Sequence, residues 1–334
     1  MKLADLEREE GFALLGPGFG GRPFLLLRGL REAPDGGLVY APFERAGDAP
    51  RVYAAGSTEP CEVEWEVAAP GFDAHLATGA YAAHVEGIRE AIARGDVYQV
   101  CYTLRARLAG ASGAGLLTAL CARGVPRFAA WVRLPGGEEF VSGSPELFFE
   151  TGGGRVHSEP MKGTARPEAG GALEASEKDR CELAMITDLI RNDLAPVCRP
   201  RTIRVENERR VVRLPYALQT VSDVVGELEA GATPLDVLAA LHPGGSVTGA
   251  PKPAALEMIH ELEPGPRGAY CGALGVRDAD RSVFGLLIRT AVRRTDGWVY
   301  GVGGGVVYDS DPQQELDELR VKLGALGCPI RCSE

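Results

Sequence analysis

Carboxylates at helical spacing are the first chemistry this chain offers. In DPQQELDELRVKLGAL, Glu315, Glu318 and Lys322 fall at i, i+3 and i+7, so a helix puts all three on one face. A solvated face with one Glu-to-Lys i,i+4 pair has the same spacing. In ASEKDRCELAMITDLIRND, Asp179 and Glu182 stand at i, i+3, with Leu183, Ile186, Leu189 and Ile190 as the buried stripe and Ser176 as N-cap. Two helices that each present such a pair would together suit Mg²⁺, a hard cation that takes a few carboxylates plus an anionic substrate. Chance is the competing reading, because 25% of the residues are charged.

SGSPELFFE followed by SEPMKGTARP places Glu146 and Lys162 near the ends of adjacent strands. There they would serve as general acid and nucleophile, provided the amine is partly desolvated or pressed by other cations. A strand-edge lysine in a turn is the plain alternative. Lysine is scarce here: Lys2, Lys162, Lys178, Lys252 and Lys322 stand against 31 arginines. A chain that uses arginine for ordinary surface cations keeps lysine where the compact amine matters.

Two glycine-rich segments add backbone surfaces. VYGVGGGVVYDSD interrupts a strand at Gly303, Gly304 and Gly305, where the backbone approaches a ligand closely or simply bulges. HPGGSVTGAPKPAALEMIHELEP runs a loop into a helix with Pro251 at N1, an arrangement that favours an anion or makes a structural turn. It is not a P-loop, because GK[ST] is missing.

The elements that must position these groups follow from periodicity. Residues 1 to about 72 read as short strands and turns, and a domain boundary is expected near residue 73, with 74–330 as the catalytic domain. Tyr81, Val85, Ile88 and Ile92 recur at helical spacing until Gly95 and Asp96. VYQVCYTLRARL alternates, with Tyr98, Val100, Tyr102, Leu104 and Leu108 on one face and Gln99, Cys101, Thr103 and Arg105 on a polar second face. Further strands are expected near 127–134, 138–150, 269–277, 282–293 and 297–308, with irregular strands up to about 226. Helices are expected near 114–123, 176–193, 233–241, 251–262 and 311–326. Runs of strands with helices between the runs predict an α+β fold with largely antiparallel sheets.

Composition narrows the partners. The 334 residues have 36 basic and 46 acidic side chains, a net charge of −10, which disfavours nucleic acid or an anionic membrane surface. Eight scattered cysteines without a C-x-x-C pair exclude a zinc ribbon or redox dithiol. The start MKLADLEREEG lacks an apolar signal core and no apolar run reaches membrane-spanning length, so the expected location is the cytoplasm.

Taken together, GDVYQVCYTLR, SGSPELFFE, PMKGTARP, EKDRCELAMITDLIRNDL, PGGSVTGAPKPAALEMIHELEPGPRGAYCGALG, IRT and GGGVVYDSDPQQELDELRVK resemble the chorismate-utilising enzyme family over roughly residues 75 to 326. The resemblance implies the layered α/β/β/α fold of anthranilate synthase component I, with a short N-terminal extension, and a Mg²⁺-dependent site for chorismate. It makes Glu182, Glu315 and Glu318 metal ligands, with Asp179 a direct or water-mediated fourth. Thr164, Tyr270, Arg289, Lys322 and Gly303, Gly304 and Gly305 become the substrate-binding set.

Within that resemblance two positions select a branch. Water-adding isochorismate and salicylate synthases carry a water-activating lysine where this chain has Gln99, and glutamine cannot deprotonate water. Anthranilate synthases carry alanine where PMKGT has Lys162, the pattern of the aminodeoxychorismate-forming enzymes. The implied reaction is attack of Lys162 at C2 of chorismate, protonation of the departing 4-hydroxyl by Glu146, and addition of ammonia at C4 with expulsion of the lysine. Gln219 stands where anthranilate synthases have a histidine and is left to hydrogen-bond the hydroxyl. No amidotransferase motif is present, so ammonia is expected from a separate glutamine amidotransferase subunit. No L-L-E-S segment is present, so tryptophan inhibition is not expected. Anthranilate synthase component I and a non-catalytic chorismate-binding subunit are the alternatives.

Overall fold

The computed structural model describes residues 1–20, 24–44, 50–65, 71–165, 173, 175–214 and 217–333, without the side chains of Thr164 and Lys178. Six α-helices stand among them: α1 (Tyr81–Arg94), α2 (Gly113–Cys121), α3 (Glu177–Leu194), α4 (Pro234–Leu241), α5 (Lys252–Leu262) and α6 (Pro312–Leu323). Each lies within a few residues of a periodicity-predicted span. Ser176 and Gly95 cap as expected, whereas Pro251 is the N-cap of α5 and not its first helical residue. Ser176 accepts from Asp179 N at 3.2 Å, Asp311 accepts from Gln314 N at 2.9 Å, and Gly95 closes α1 in the left-handed conformation. None of the described helices is long and apolar enough to cross a membrane.

The strands form two sheets. The first runs Ile330–Ser333, Asp73–Ala77, Gln99–Ala109, Gly297–Val306, Thr290–Arg294, Glu139–Ser144, Phe128–Arg133, Phe12–Leu15, Phe24–Arg28, Ser57–Cys61. The second runs Met161–Ala165, Leu218–Glu227, Arg155–Ser158, Leu147–Gly152, Arg281–Leu286, Ala273–Arg277, Leu38–Ala41, Arg51–Ala54, Arg31–Glu32. Pairing is antiparallel except between Ile330–Ser333 and Asp73–Ala77. The expectation of α+β architecture with antiparallel sheets therefore holds, and the strands before residue 62 take the outer places of both sheets.

The sheets pack face to face. Tyr40 of the second stacks on Phe140 of the first, with centroids 5.2 Å apart, and Phe128 of the first covers Gly285 of the second, where a Cβ would come within 2.9 Å of its ring. Helices α1, α2 and α6 pack on the first sheet, and α3 with α4 beside it packs on the second. Gln99 and Thr103, on the polar face of the alternating strand, point into this interior and are 0% and 1% exposed. Tyr98, assigned to the apolar face, is instead 65% exposed at the strand's end.

Two expected strands are each broken in two, and both breaks matter for function. The segment near 138–150 splits at Pro145 and Glu146, and the segment near 282–293 splits at residues 287–289. Proline has no N–H for the ladder, and Arg289 adopts a left-handed φ of 53° that a strand does not accommodate. At each break the chain leaves one sheet and enters the other. The expectation for Glu146 and Lys162 holds: Met161–Ala165 continues the row of Arg155–Ser158 along one edge of Leu218–Glu227, with Ser158 opposite Val224 and Met161 opposite Val221, and Arg155–Ser158 pairs with Leu147–Gly152, the strand that follows Glu146.

Candidate active site

One cavity of about 230 Å³ collects nearly every residue singled out in the sequence. Glu146, Lys162, Asp179, Glu182, Gln219, Tyr270, Arg289, Gly303, Gly304, Gly305, Glu315, Glu318 and Lys322 all line it. Thr164 continues the Lys162 strand, and its side chain lies outside the described residues.

Glu146 and Arg289 enter from the paired chain crossings. Leu286 N donates to Glu146 O at 3.2 Å, Gly143 N donates to Arg289 O at 3.0 Å, and Ser144 Oγ donates to Leu286 O at 2.5 Å. These bonds tie the two crossings together, so both side chains are delivered to one place. Burial pushes the Glu146 carboxyl up to about 7, while Lys162, a hydrogen bond from Ser246 and Arg289 pull it back. Ser246 Oγ donates to Glu146 Oε1 at 3.3 Å. Burial also draws the Arg289 guanidinium below its ordinary value, against the pull of Tyr300 and Glu146.

Lys162 comes from the Met161–Ala165 strand of the second sheet. Its register with Leu218–Glu227 shifts between Lys162 and Thr164, a bulge at Gly163. Gly163 has a φ of +66°, and a Cβ there would meet Asp179 Cγ at 3.0 Å, so only glycine lets this strand lie so close to the start of α3. Thr220 Oγ1 donates to Lys162 O at 2.6 Å and fixes the backbone behind the amine.

The acidic wall comes from α3 and α6. Glu315 is 3% exposed and accepts from Ser310 Oγ at 2.7 Å. Lys322 pairs with Glu318 at 2.7 Å and donates to Gly303 O at 2.7 Å, which joins the helix face to the glycine strand. A Cβ on Gly304 would lie 3.4 Å from Glu315 Oε2 and 3.6 Å from Lys322 Nζ. Behind Gly305 sits the amide of Gln99, whose Nε2 and Oε1 are buried without hydrogen-bond partners among the described residues.

Residues 41–327 match the model of the chorismate binding enzyme family. The chain belongs to this family. It is 37% identical over 295 residues to an anthranilate synthase component 1 of Haloarcula marismortui, covering 85% of this chain and 60% of that one. It is 38% identical over 267 residues to an aminodeoxychorismate synthase of Streptomyces pristinaespiralis, covering 76% of this chain and 37% of that one. The structure of anthranilate synthase component I from Streptococcus pneumoniae superposes with a TM-score of 0.69 at 28% identity, covering 79% of this chain and 60% of that one. The chain thus spans less than two thirds of the length of these relatives.

For a chorismate binding enzyme, the cavity offers the buried guanidinium of Arg289, the buried carboxyl of Glu146, the amines of Lys162 and Lys322, and carboxylates on two helices. Lining residues to which the sequence assigned no role include Met161, Ser246, Ile288 and Tyr300. Ser246 lay inside the recognised PGGSVTG segment, and its hydroxyl beside glycines was the available signal. Tyr300 carried none, since an aromatic residue in a strand reads as core. A different trio, His157, Glu159 and Asp223, brings ligand-type atoms within 4.8 Å of one another. Arg210 already occupies that cluster as its cation, donating to Glu159 at 2.6 Å and twice to Asp223 at 2.9 Å.

Proposed function

We propose that this protein aminates chorismate to 4-amino-4-deoxychorismate. The observation that carries the reading is that Lys162 from its strand and Glu146 from the sheet crossing face one cavity with Arg289 and the carboxylates of α3 and α6. An amine and a proton-bearing carboxyl across a cavity suit a two-step displacement. Mere binding of a dicarboxylate needs neither.

Arg289 grips one carboxylate of chorismate through its planar fork, and Lys322 and the Gly303 to Gly305 backbone face the remainder. Neutral Lys162 adds to C2, the ring double bond shifts, and the C4–O bond breaks. Glu146 gives its proton to the departing oxygen, which leaves as water, and the resulting carboxylate accepts the proton that the new secondary amine sheds. Ammonia then adds at C4, the double bond shifts back, and the C2–N bond breaks. Glu146 gives its proton to the departing Lys162 nitrogen, and its carboxylate takes back the proton that the new C4 ammonium sheds, so both groups are ready for the next turn.

Glu182, Glu315 and Glu318, with Asp179 directly or through water, would hold Mg²⁺. Their donor set fits: hard oxygens from two helices line one cavity, and the family's substrate brings an anionic oxygen. When bound, the ion supplies charge neutralisation and orientation of a substrate carboxylate. Gln99 stands without a basic nitrogen at the nucleophile side, which supports amination over addition of water. Ammonia would come from a glutamine amidotransferase subunit.

Purified protein incubated with chorismate, Mg²⁺ and ammonium, then coupled to aminodeoxychorismate lyase, tests the reading. Anthranilate as the sole product overturns it in favour of anthranilate synthase component I, the name borne by the Haloarcula relative. Absence of any turnover with tight chorismate binding would point to a non-catalytic subunit.

A further inference from the structure

Beneath the cavity lies a buried ion pair. The side chains of Glu263, just past α5, and Arg267 are 3% and 1% exposed. Arg267 Nε donates to Glu263 Oε2 at 2.9 Å and Nη2 donates to Oε1 at 2.6 Å. The other bonds of the guanidinium leave the pair for two backbone carbonyls, Nη1 to Val247 O at 2.6 Å and Nη2 to Cys101 O at 2.7 Å. Glu263 Oε1 also accepts from Thr103 N at 3.0 Å and Thr103 Oγ1 at 2.8 Å.

Through the pair these bonds link two pieces of chain, three of them reaching the strand at Cys101 and Thr103 and one reaching the turn at Val247. Cys101 and Thr103 belong to the Gln99–Ala109 strand, Val247 ends the short Gly245–Val247 turn, and Cys101 and Val247 both line the cavity. The middle residue of that turn is Ser246, the donor to Glu146. A fully buried pair gains little net stability, because desolvation of both charges offsets their attraction. The rigid fork of arginine does fix geometry, since each donor has one direction.

We propose that Glu263 and Arg267 are positioning residues: their ion pair clamps the Gly245–Val247 turn to the Gln99–Ala109 strand and so holds Ser246 against the carboxyl of Glu146. The inference rests on the reading of Glu146 as proton donor. It predicts that breaking the clamp changes proton transfer more than substrate binding.

The test compares wild type, Ser246→Ala and the double variant Glu263→Leu/Arg267→Met, all as the full chain. The readouts are Tm and the pH dependence of kcat and KM for chorismate consumption. Ser246→Ala should keep its Tm. It removes a donor to the charged form of Glu146, so the high-pH limb of kcat should move up by roughly half a pH unit. The double variant leaves no unpaired buried charge and should fold, with kcat down about tenfold or more, KM changed less, and the limb displaced in the same direction. Wild-type kcat and limb in the double variant would make the pair a structural feature only and overturn the proposal. An unmoved limb in Ser246→Ala overturns it also, and decides alone if the double variant does not fold. Glu146→Gln separates the two readings: if it retains full kcat, the proton-donor assignment fails, whereas loss of kcat there with an unmoved limb in Ser246→Ala fails only the clamp.

Discussion

Glu146 and Arg289 sit at the two neighbouring points where the chain passes from one sheet to the other, and Leu286 N, bonded to Glu146 O at 3.2 Å, joins those points. A crossing between packed sheets is buried by construction, and its side chains have no strand face to occupy. They fall into the gap between the layers. The same geometry explains why the carboxyl is 5% exposed and holds its proton to unusually high pH.

That proton has a stability consequence of definite sign. The folded-state value of Glu146 is raised from 4.5 to about 7, so the stability it contributes is complete at pH below the lower value and is lost as pH rises through the upper one. The span corresponds to roughly 3 kcal/mol. Glu146→Gln is neutral at every pH and should escape this loss. Urea unfolding of both proteins at about pH 5 and about pH 8 checks it: wild type should lose stability relative to the variant at the higher pH. Parallel changes in the two proteins would mean that Glu146 does not bind its proton tightly in the folded state.

Lys162 distinguishes the two amination branches. Lys162→Ala should lower turnover by about a thousandfold or more under the covalent reading, and intact-mass measurement of wild type trapped with chorismate without ammonia should show an adduct that the variant lacks. A variant that turns over at near wild-type rate would assign the chain to direct attack by ammonia.

The helices were legible because their apolar stripes and caps are local: Ser176 and Gly95 stand where capping chemistry requires them. The cavity set was legible because its residues come in short motifs. What the sequence concealed was long-range. A break at Pro145 or Arg289 leaves the apolar pattern on either side intact, so each broken segment reads as one strand. The nearness of Glu146 and Lys162, by contrast, was legible, because the hairpin that pairs Leu147–Gly152 with Arg155–Ser158 is local. Arg267 reads as another surface arginine, because nothing local reveals that it binds Cys101, 166 residues away in sequence.

The glycine strand should respond position by position. At Gly301 a Cβ would lie 2.1 Å from Tyr270 Cδ1, so Gly301→Ala must displace that ring and should cost about 1–3 kcal/mol. At Gly304 the nearest atoms are at ordinary contact distance, so Gly304→Ala should fold normally, while its methyl group enters the cavity beside Glu315 and Lys322 and raises KM for chorismate. Thermal unfolding with steady-state kinetics separates the two cases. Equal losses of Tm would contradict the different surroundings of these glycines.

Removal of the acidic wall should separate metal binding from folding. Glu315 already has a neutral donor in Ser310 Oγ at 2.7 Å, and a glutamine oxygen can accept the same bond, so Glu315→Gln should retain the wild-type Tm without metal. It removes one negative charge from the cavity where α3 and α6 face each other, and each lost carboxylate should weaken a divalent cation by about tenfold or more. Calorimetric titration with Mg²⁺, or Mn²⁺ binding followed by electron paramagnetic resonance, measures this without reliance on turnover. Chelation of wild type should abolish chorismate consumption, and added Mg²⁺ should restore it. Unchanged cation affinity in Glu315→Gln, together with full activity after chelation, would remove α6 from any metal site and leave Glu315 as a structural acceptor for Ser310.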